Sequence, residues 1–347
     1  MEHSSVGVAL SVLDLAPVSD GHTPAEALRN SLDLAPEVER LGFVRYWVAE
    51  HHNMPGIASS SPAVLLAHIA SVTSTIRVGS GGVMLPNHSA LVVAEQFGML
   101  EALHPGRVDL GIGRAPGTDQ ITAQALRRTT DPHQMVDEFP AQLVELFGYF
   151  DGRWPAGHPY AHITATPALG YRPSIWMLGS SDYGAHAAGV MGLPYSFAHH
   201  FASGNTMLAA RTYRDAFRPV GDLAEPYLML GVSVVCADTD EHARYLAGPG
   251  ALAFLRLRTG RPSKYPTPEE AAAYDYTAQE QAFVDDRLRS AVIGSPVTVR
   301  AGLAQLAERT GADELMITTM VHAHADRVRS YRLVAEVCGL GEPAAAC

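Results

Sequence analysis

Phe43-Val44-Arg45-Tyr46-Trp47-Val48-Ala49-Glu50-His51-His52 is a strand-like run, rich in aromatic and β-branched residues, that ends in an acid and two histidines. It follows a helical stretch closed by Gly42. Two further runs repeat the theme: Arg77-Val78-Gly79-Ser80-Gly81-Gly82-Val83, and Val108-Asp109-Leu110-Gly111-Ile112-Gly113-Arg114. Polar groups at the ends of successive strands in a βα repeat mark the catalytic face of a barrel.

Outward from this stretch, strands alternate with helices along the chain. Gly7 to Leu15 reads as strand one. Thr23-Pro24-Ala25-Glu26 opens a helix as a capping-box variant with proline in its first turn, and Leu28, Leu32, Ala35 and Val38 give it an apolar stripe. Later strands are expected at Ile175–Leu178, Tyr195–Ala198, Leu228–Val235 and, as strand eight, Glu314–Thr318. Helices are expected over Pro132–Phe150, Ser181–Met191, Thr206–Phe217, Pro296–Thr310 and Asp326–Cys338. Eight alternations predict an α/β fold, a (β/α)8 TIM barrel forming one domain over residues 1–347. An open doubly wound sheet is the alternative, but no glycine-rich dinucleotide fingerprint follows strand one. Residues 248–295 form an insertion between strands seven and eight. A βα loop this long opens onto the catalytic face, and its Arg256, Arg258, Arg261 and Lys264 with Tyr274-Asp275-Tyr276 suit a lid with some helix.

The 347 residues suit one barrel, and 47% hydrophobic content supplies a large core. A net charge of −11 argues against nucleic acid or an anionic membrane as partner. The start, Met1-Glu2-His3-Ser4-Ser5, has no basic region, and neither a secretory signal nor a membrane span is evident. Cys236, Cys338 and Cys347 match no metal spacing, so a reducing cytoplasm is the expected compartment.

Glu50 and His51 stand where a barrel presents reactive groups. A carboxylate beside an imidazole can set its tautomer or raise its pKa, which makes a proton carrier near neutral pH; the plain alternative is packing. Gly79, Gly81 and Gly82 in one strand call for a bulge, for a flat ligand against bare backbone, or for small-residue packing. Arg114 ends strand four as a fixed cation. Leu178-Gly179-Ser180-Ser181-Asp182-Tyr183 leads into a helix whose N–H groups and serine hydroxyls can cradle a phosphate, although a serine there can equally be only an N-cap. His199-His200 and His322-Ala323-His324 read as pocket lining or surface. No metal site is expected.

The stretches Leu41-Gly42-Phe43, Ala49-Glu50-His51-His52, Val78 through Pro86, Pro105-Gly106-Arg107 through Arg114, and Gly192-Leu193-Pro194-Tyr195 occur in an order that resembles the bacterial luciferase-like flavin-dependent monooxygenases, in particular the single-subunit branch that includes oxygenases of natural-product pathways. The resemblance implies reduced FMN delivered by a separate reductase, a flavin C4a-hydroperoxide formed with O₂, and oxidation of a small organic substrate. It implies His51 as catalytic, with Glu50 beside the flavin ring and Ala49 next to it, and a non-proline cis peptide at Gly81–Gly82 under the ring. Arg114 is implied as the phosphate-binding arginine, with Gly179, Ser180, Ser181 and Tyr183 as the phosphate loop. Gly113, Gly179 and His199 depart from the luciferases, and light emission is not expected. The alternatives are an F420-dependent oxidoreductase that transfers hydride without oxygen, and a non-catalytic flavin-binding protein. A homodimer is expected on the helices from Pro62 to Thr73 and from Ala90 to Leu103, as the family pairs its subunits.

Overall fold

The computed structural model describes residues 5–115, 117–127, 132–220 and 223–341, with only the backbone given for 132–137. Met1–Ser4 and Cys347 lie outside the described residues. The strands are β1 Ala9–Asp14, β2 Arg45–Val48, β3 Arg77–Met84, β4 Val108–Gly113, β5 Ser174–Gly179, β6 Tyr195–Phe197, β7 Leu228–Cys236, β8 Val292–Gly294 and β9 Glu314–Thr318. Each of β1 to β7 pairs in parallel with its neighbour in sequence except that β7 turns to β9, which pairs β1 and closes the ring. Eight strands thus form a closed parallel barrel, as expected. The strand numbered eighth in the sequence reading is β9. The three-residue β8 is an addition at the far end of β7, pairing Val234–Cys236 with Val292–Gly294.

Local chemistry explains the frame. The Thr23/Glu26 capping box forms in both directions, with Thr23 N–H donating to Glu26 at 2.7 Å and Glu26 N–H to the Thr23 hydroxyl at 3.2 Å. Buried apolar residues from Val6 to Cys338 make one contiguous core between barrel and helices. One extra β3 residue lies between the pairs Ser80–Leu110 and Val83–Ile112, a bulge at Gly81-Gly82. The Ser80 hydroxyl fills the gap, donating to the Gly111 carbonyl at 2.9 Å and accepting from its N–H at 3.1 Å.

The insertion is more regular than a loop. Its first helix begins earlier than expected, at Asp240, and runs through Pro249 to Arg258; Pro268–Ala273 and Ala278–Arg289 follow. These helices share a core of Ala251, Leu252, Leu255, Ala271 and Val284. A short helix, Gln120–Arg127, also precedes Pro132–Asp151 and is invisible to a simple periodicity reading. Among the described residues, no helix is long and apolar enough to cross a membrane.

Candidate active site

Two cavities open side by side at the C-terminal ends of the strands. The first holds about 1070 Å³ of empty space, its mouth included, and is lined by Ala49, His51, Gly81, Gly82, Arg114 and the Gly179–Ser181 turn with Tyr183. The second, about 1120 Å³, lies under the insertion between Met54, Phe254, Tyr265, Arg287 and Thr318. Leu15, His51, His200 and Phe201 line both and so form their common wall. Neither lining contains an aspartate or glutamate among the described residues.

The first cavity has a cationic end. Arg114, at the end of β4, rests on the Tyr183 ring at 3.9 Å, which joins the ends of β4 and β5. Ser181 is the N-cap of the helix Asp182–Val190, yet its side chain makes no capping bond. Its hydroxyl is therefore not used in the way the plain N-cap reading requires. Free helix N–H groups, two serine hydroxyls and a guanidinium converge there, a donor set that fits a phosphate. The opposite end is bare backbone at the bulge, where the Gly81–Gly82 peptide is cis. A β-carbon at Gly82 would meet the Gly111 carbonyl at 2.7 Å, and one at Gly81 would meet Leu13 at 2.7 Å. The neighbouring strand and the cavity-lining Leu13 and Leu178 thus leave no room for side chains at either position, and bare backbone faces the cavity. Gly79 does not line this cavity; a β-carbon there would strike Trp47 at 2.6 Å and Asp109 at 2.7 Å, so packing alone accounts for it.

His51 is held by the chain rather than by an acid. Its Nδ1 lies 3.1 Å from the Gly117 carbonyl, which can only accept, so Nδ1 carries the proton and Nε2 is left as a base. Burial pushes the His51 pKa down, against the Gly117 bond and the more distant Glu50 charge, and keeps the ring neutral. Glu50 does not set the His51 tautomer, which the Gly117 carbonyl fixes, and the His51 pKa goes down rather than up. Glu50 is fully buried, lines neither cavity, and accepts from His52 at 2.9 Å, from His88 at 2.9 Å and from the Met84 N–H at 3.0 Å. Burial alone would raise its pKa, but the bonds from His88, His52 and Met84 outweigh it and hold the carboxyl below its usual range. Glu50 therefore braces the β2 and β3 ends on which His51 and the bulge stand.

His200 is the second histidine of the common wall. Its Nδ1 faces the Gly231 carbonyl at 3.1 Å, and burial, then the Arg287 charge, takes its pKa down to about 3. His199 turns away to the Thr206 hydroxyl at 2.7 Å and lines neither cavity. His322 bonds the Asp20 carbonyl and His324 bonds Asp33. Among the described residues no group of three acids, histidines or cysteines is placed to hold a metal. Sequence reasoning did not single out Arg287 or Tyr265, which sit in the insertion with no motif around them, nor Phe201, which directly follows the His199-His200 pair.

The fold is a (β/α)8 barrel with two adjoining cavities, one with a cationic end and one largely apolar. Comparison with known proteins makes the class specific: the luciferase-like monooxygenase family model matches residues 8–314, and the chain belongs to that family. It is a flavin-dependent monooxygenase by class. It is 49% identical over 328 residues to YvbT of Bacillus subtilis (strain 168), covering 94% of this chain and 96% of that one. It is 42% identical over 330 residues to a luciferase-like monooxygenase of Escherichia coli (strain K12), covering 95% and 97%. The crystal structure of apo-MsnO8 superposes with a TM-score of 0.87 at 40% identity, covering 97% of this chain and all of that one.

Proposed function

We propose that this chain is the oxygenating component of a two-component system that uses FMN, supplied reduced by a separate flavin reductase, to oxidise a small organic molecule. The observation that carries the reading is the sharing of His51 and His200 between a cavity with a phosphate-fitting end and an apolar cavity. Arg114, Tyr183, Ser180, Ser181 and the backbone at Gly179 would hold the FMN phosphate, and the Gly81-Gly82 floor with Ala49 would carry the flat ring. Reduced FMN, when bound, supplies the electrons that activate O₂. The chain's own part is to orient, to exclude water and to move a proton. His51, neutral with Nε2 bare, accepts a proton at the common wall. Glu50 acts through the backbone it braces, as a positioning residue.

The same reading makes residues 259–267 a roof over the apolar chamber. Tyr265 exchanges backbone bonds with the β1 loop, its N–H to Val18 at 3.0 Å and its carbonyl from Asp20 at 2.8 Å, and Lys264 donates to the His22 carbonyl at 2.7 Å. Val64, Val72, Val92, Met99 and Leu103 are exposed on the helices Pro62–Val72 and Ala90–Leu103, which supports a homodimer through that face.

Titration with FMN, riboflavin and F420, each reduced, tests the cofactor. Charge-assisted bonds to phosphate contribute about 1.5–3 kcal/mol, so Arg114→Ala should weaken FMN about 10- to 100-fold and riboflavin little. Equal losses for both, or tighter binding of F420, would overturn the assignment. His51→Ala should keep FMN affinity while turnover falls by about 10² to 10⁴.

A further inference from the structure

Arg287 is a cation without a counter-ion among the described residues, in the wall of an apolar chamber. It lies in the last turn of Ala278–Arg289, donates through Nη1 to the His200 carbonyl and covers the Phe254 ring at 4.1 Å. Its neighbour Arg289 pairs with Asp286 at 3.2 Å, but Arg287 makes no ion pair with any described carboxylate. Burial pulls its pKa below the usual arginine value, and the nearby Tyr265 phenol, itself pushed up to about 12 by burial, stays neutral and offers no counter-charge. Its Nε and Nη2 have no protein partner among the described residues, and these are the two edges that meet a carboxylate as a fork. Across the same chamber, the Thr318 hydroxyl is buried without a partner. Most other lining groups are apolar, among them Met54, Ile57, Leu257 and Ile293.

We propose that the chamber selects a carboxylate-bearing substrate with an apolar body, its anion held by Arg287 and a second polar atom met by Thr318. The guanidinium is half-buried, so its remaining donors are partly desolvated yet still reachable, and an apolar wall without acids raises the value of an anion placed against it. The net charge of the chain is −11, so a local positive site serves selection at close range rather than long-range attraction. The apolar walls fit the body of the molecule, and the shared His51 wall brings that body to the neighbouring cavity. This inference rests on the proposed function only in calling the occupant a substrate.

The experiment is a calorimetric titration of the purified flavin-free chain with octanoate, octanamide and octylamine, which share a tail and differ in head group. Octanoate should bind at least about 10-fold more tightly than octanamide, and octylamine most weakly. Arg287→Gln should remove that preference by lowering octanoate affinity about 10- to 100-fold while octanamide changes little. Arg287→Lys should restore part of it, because a point cation replaces the fork. Thr318→Val should leave the preference for octanoate over octanamide intact, because neither probe carries the second polar atom, and should weaken 8-hydroxyoctanoate by a few-fold; lost head-group preference in Thr318→Val would also count against the assignment of the anion to Arg287. Equal binding of the three probes to the wild type, absence of octanoate binding, or equal loss of all probes in Arg287→Gln would overturn the proposal. If Arg287→Gln fails to fold, Arg287→Lys and the wild-type head-group series still decide it. FMN titration run in parallel keeps the two readings apart. Lost flavin binding with head-group selection intact sinks the cofactor reading alone; the reverse result sinks this one alone.

Discussion

At the N-terminal end of the barrel, Arg45 lies between Asp109 at 2.8 Å and Glu314 at 3.0 Å, and Arg77 takes the other oxygen of Asp109 at 2.5 Å. Trp47 Nε1 and the Tyr227 and Ser11 hydroxyls complete the shells of the two acids. Burial would lower the Arg45 pKa, yet Glu314 and Asp109 raise it well above its ordinary value. At the C-terminal end, Arg114 and Arg287 rest on aromatic faces, and neither has a carboxylate partner among the described residues. The N-terminal arginine is paired with acids of the barrel itself; at the C-terminal end Glu50 and Asp14 are likewise paired, but the arginines that line the cavities are left for an occupant. The difference separates charges that hold the barrel from charges that can bind.

The largest effect should come from breaking the satisfied end. Arg45→Met leaves two buried carboxylates short of a partner, and chemical denaturation should show a loss of about 3–5 kcal/mol. Arg114→Ala, at the open end, should cost less than about 1 kcal/mol of stability while flavin affinity falls. Similar stability losses at both sites would end the distinction.

A smaller effect probes the wall between the cavities. A β-carbon at Gly231 would lie 2.7 Å from His200 Nδ1, so Gly231→Ala must displace the ring. Overpacking of this kind costs about 1–3 kcal/mol. Turnover should fall together with stability. Full activity in a destabilised variant would take His200 out of the working site.

The pH dependence is gentler and has a definite sign. In the unfolded chain His200 takes up a proton near its ordinary value of 6.5; in the folded chain it does so only at about 3. Between those values the unfolded state holds more protons, so stability present above pH 6.5 is lost as the pH falls. The slope from this one group is at most about 1.4 kcal/mol per pH unit. Denaturation midpoints at pH 7.5, 6 and 5 should converge less steeply in His200→Gln; an identical slope would assign the effect to other histidines. Smallest of all, proteases should cut slowly near Gly260–Pro268 in the flavin-free chain and more slowly with flavin and octanoate bound. Cleavage indifferent to both would leave the roof with no gating role.

The barrel was legible in the sequence because each strand is a short apolar run between helix signals, and closure follows once eight such units must bury their faces. Arg114 and the Gly179–Tyr183 turn were legible for a related reason: strand ends fall on one face of a barrel whatever the loops do. Glu50 was only half legible. Its position after β2 is local, but its partner His88 lies 38 residues further on, and nothing in the spacing foretells that β3 brings them together. His51 next to Glu50 invited a pairing that the strand end does not allow. Arg287 was not legible at all, since an arginine in a charged helix looks solvent-facing until the insertion folds back over β7 and lays it on Phe254.

The roof over the apolar chamber carries one more consequence. Lys264, whose ammonium is tied to the His22 carbonyl, is the only lysine in the chain. A mild acylating dye will therefore find one ε-amine, on the segment that would have to move, and that amine reacts freely only when it is released from its carbonyl. The labelling rate at Lys264, read by peptide mapping so that acylation of the α-amine is counted separately, then reports the position of the roof in the wild-type protein, with no cysteine introduced and no residue changed.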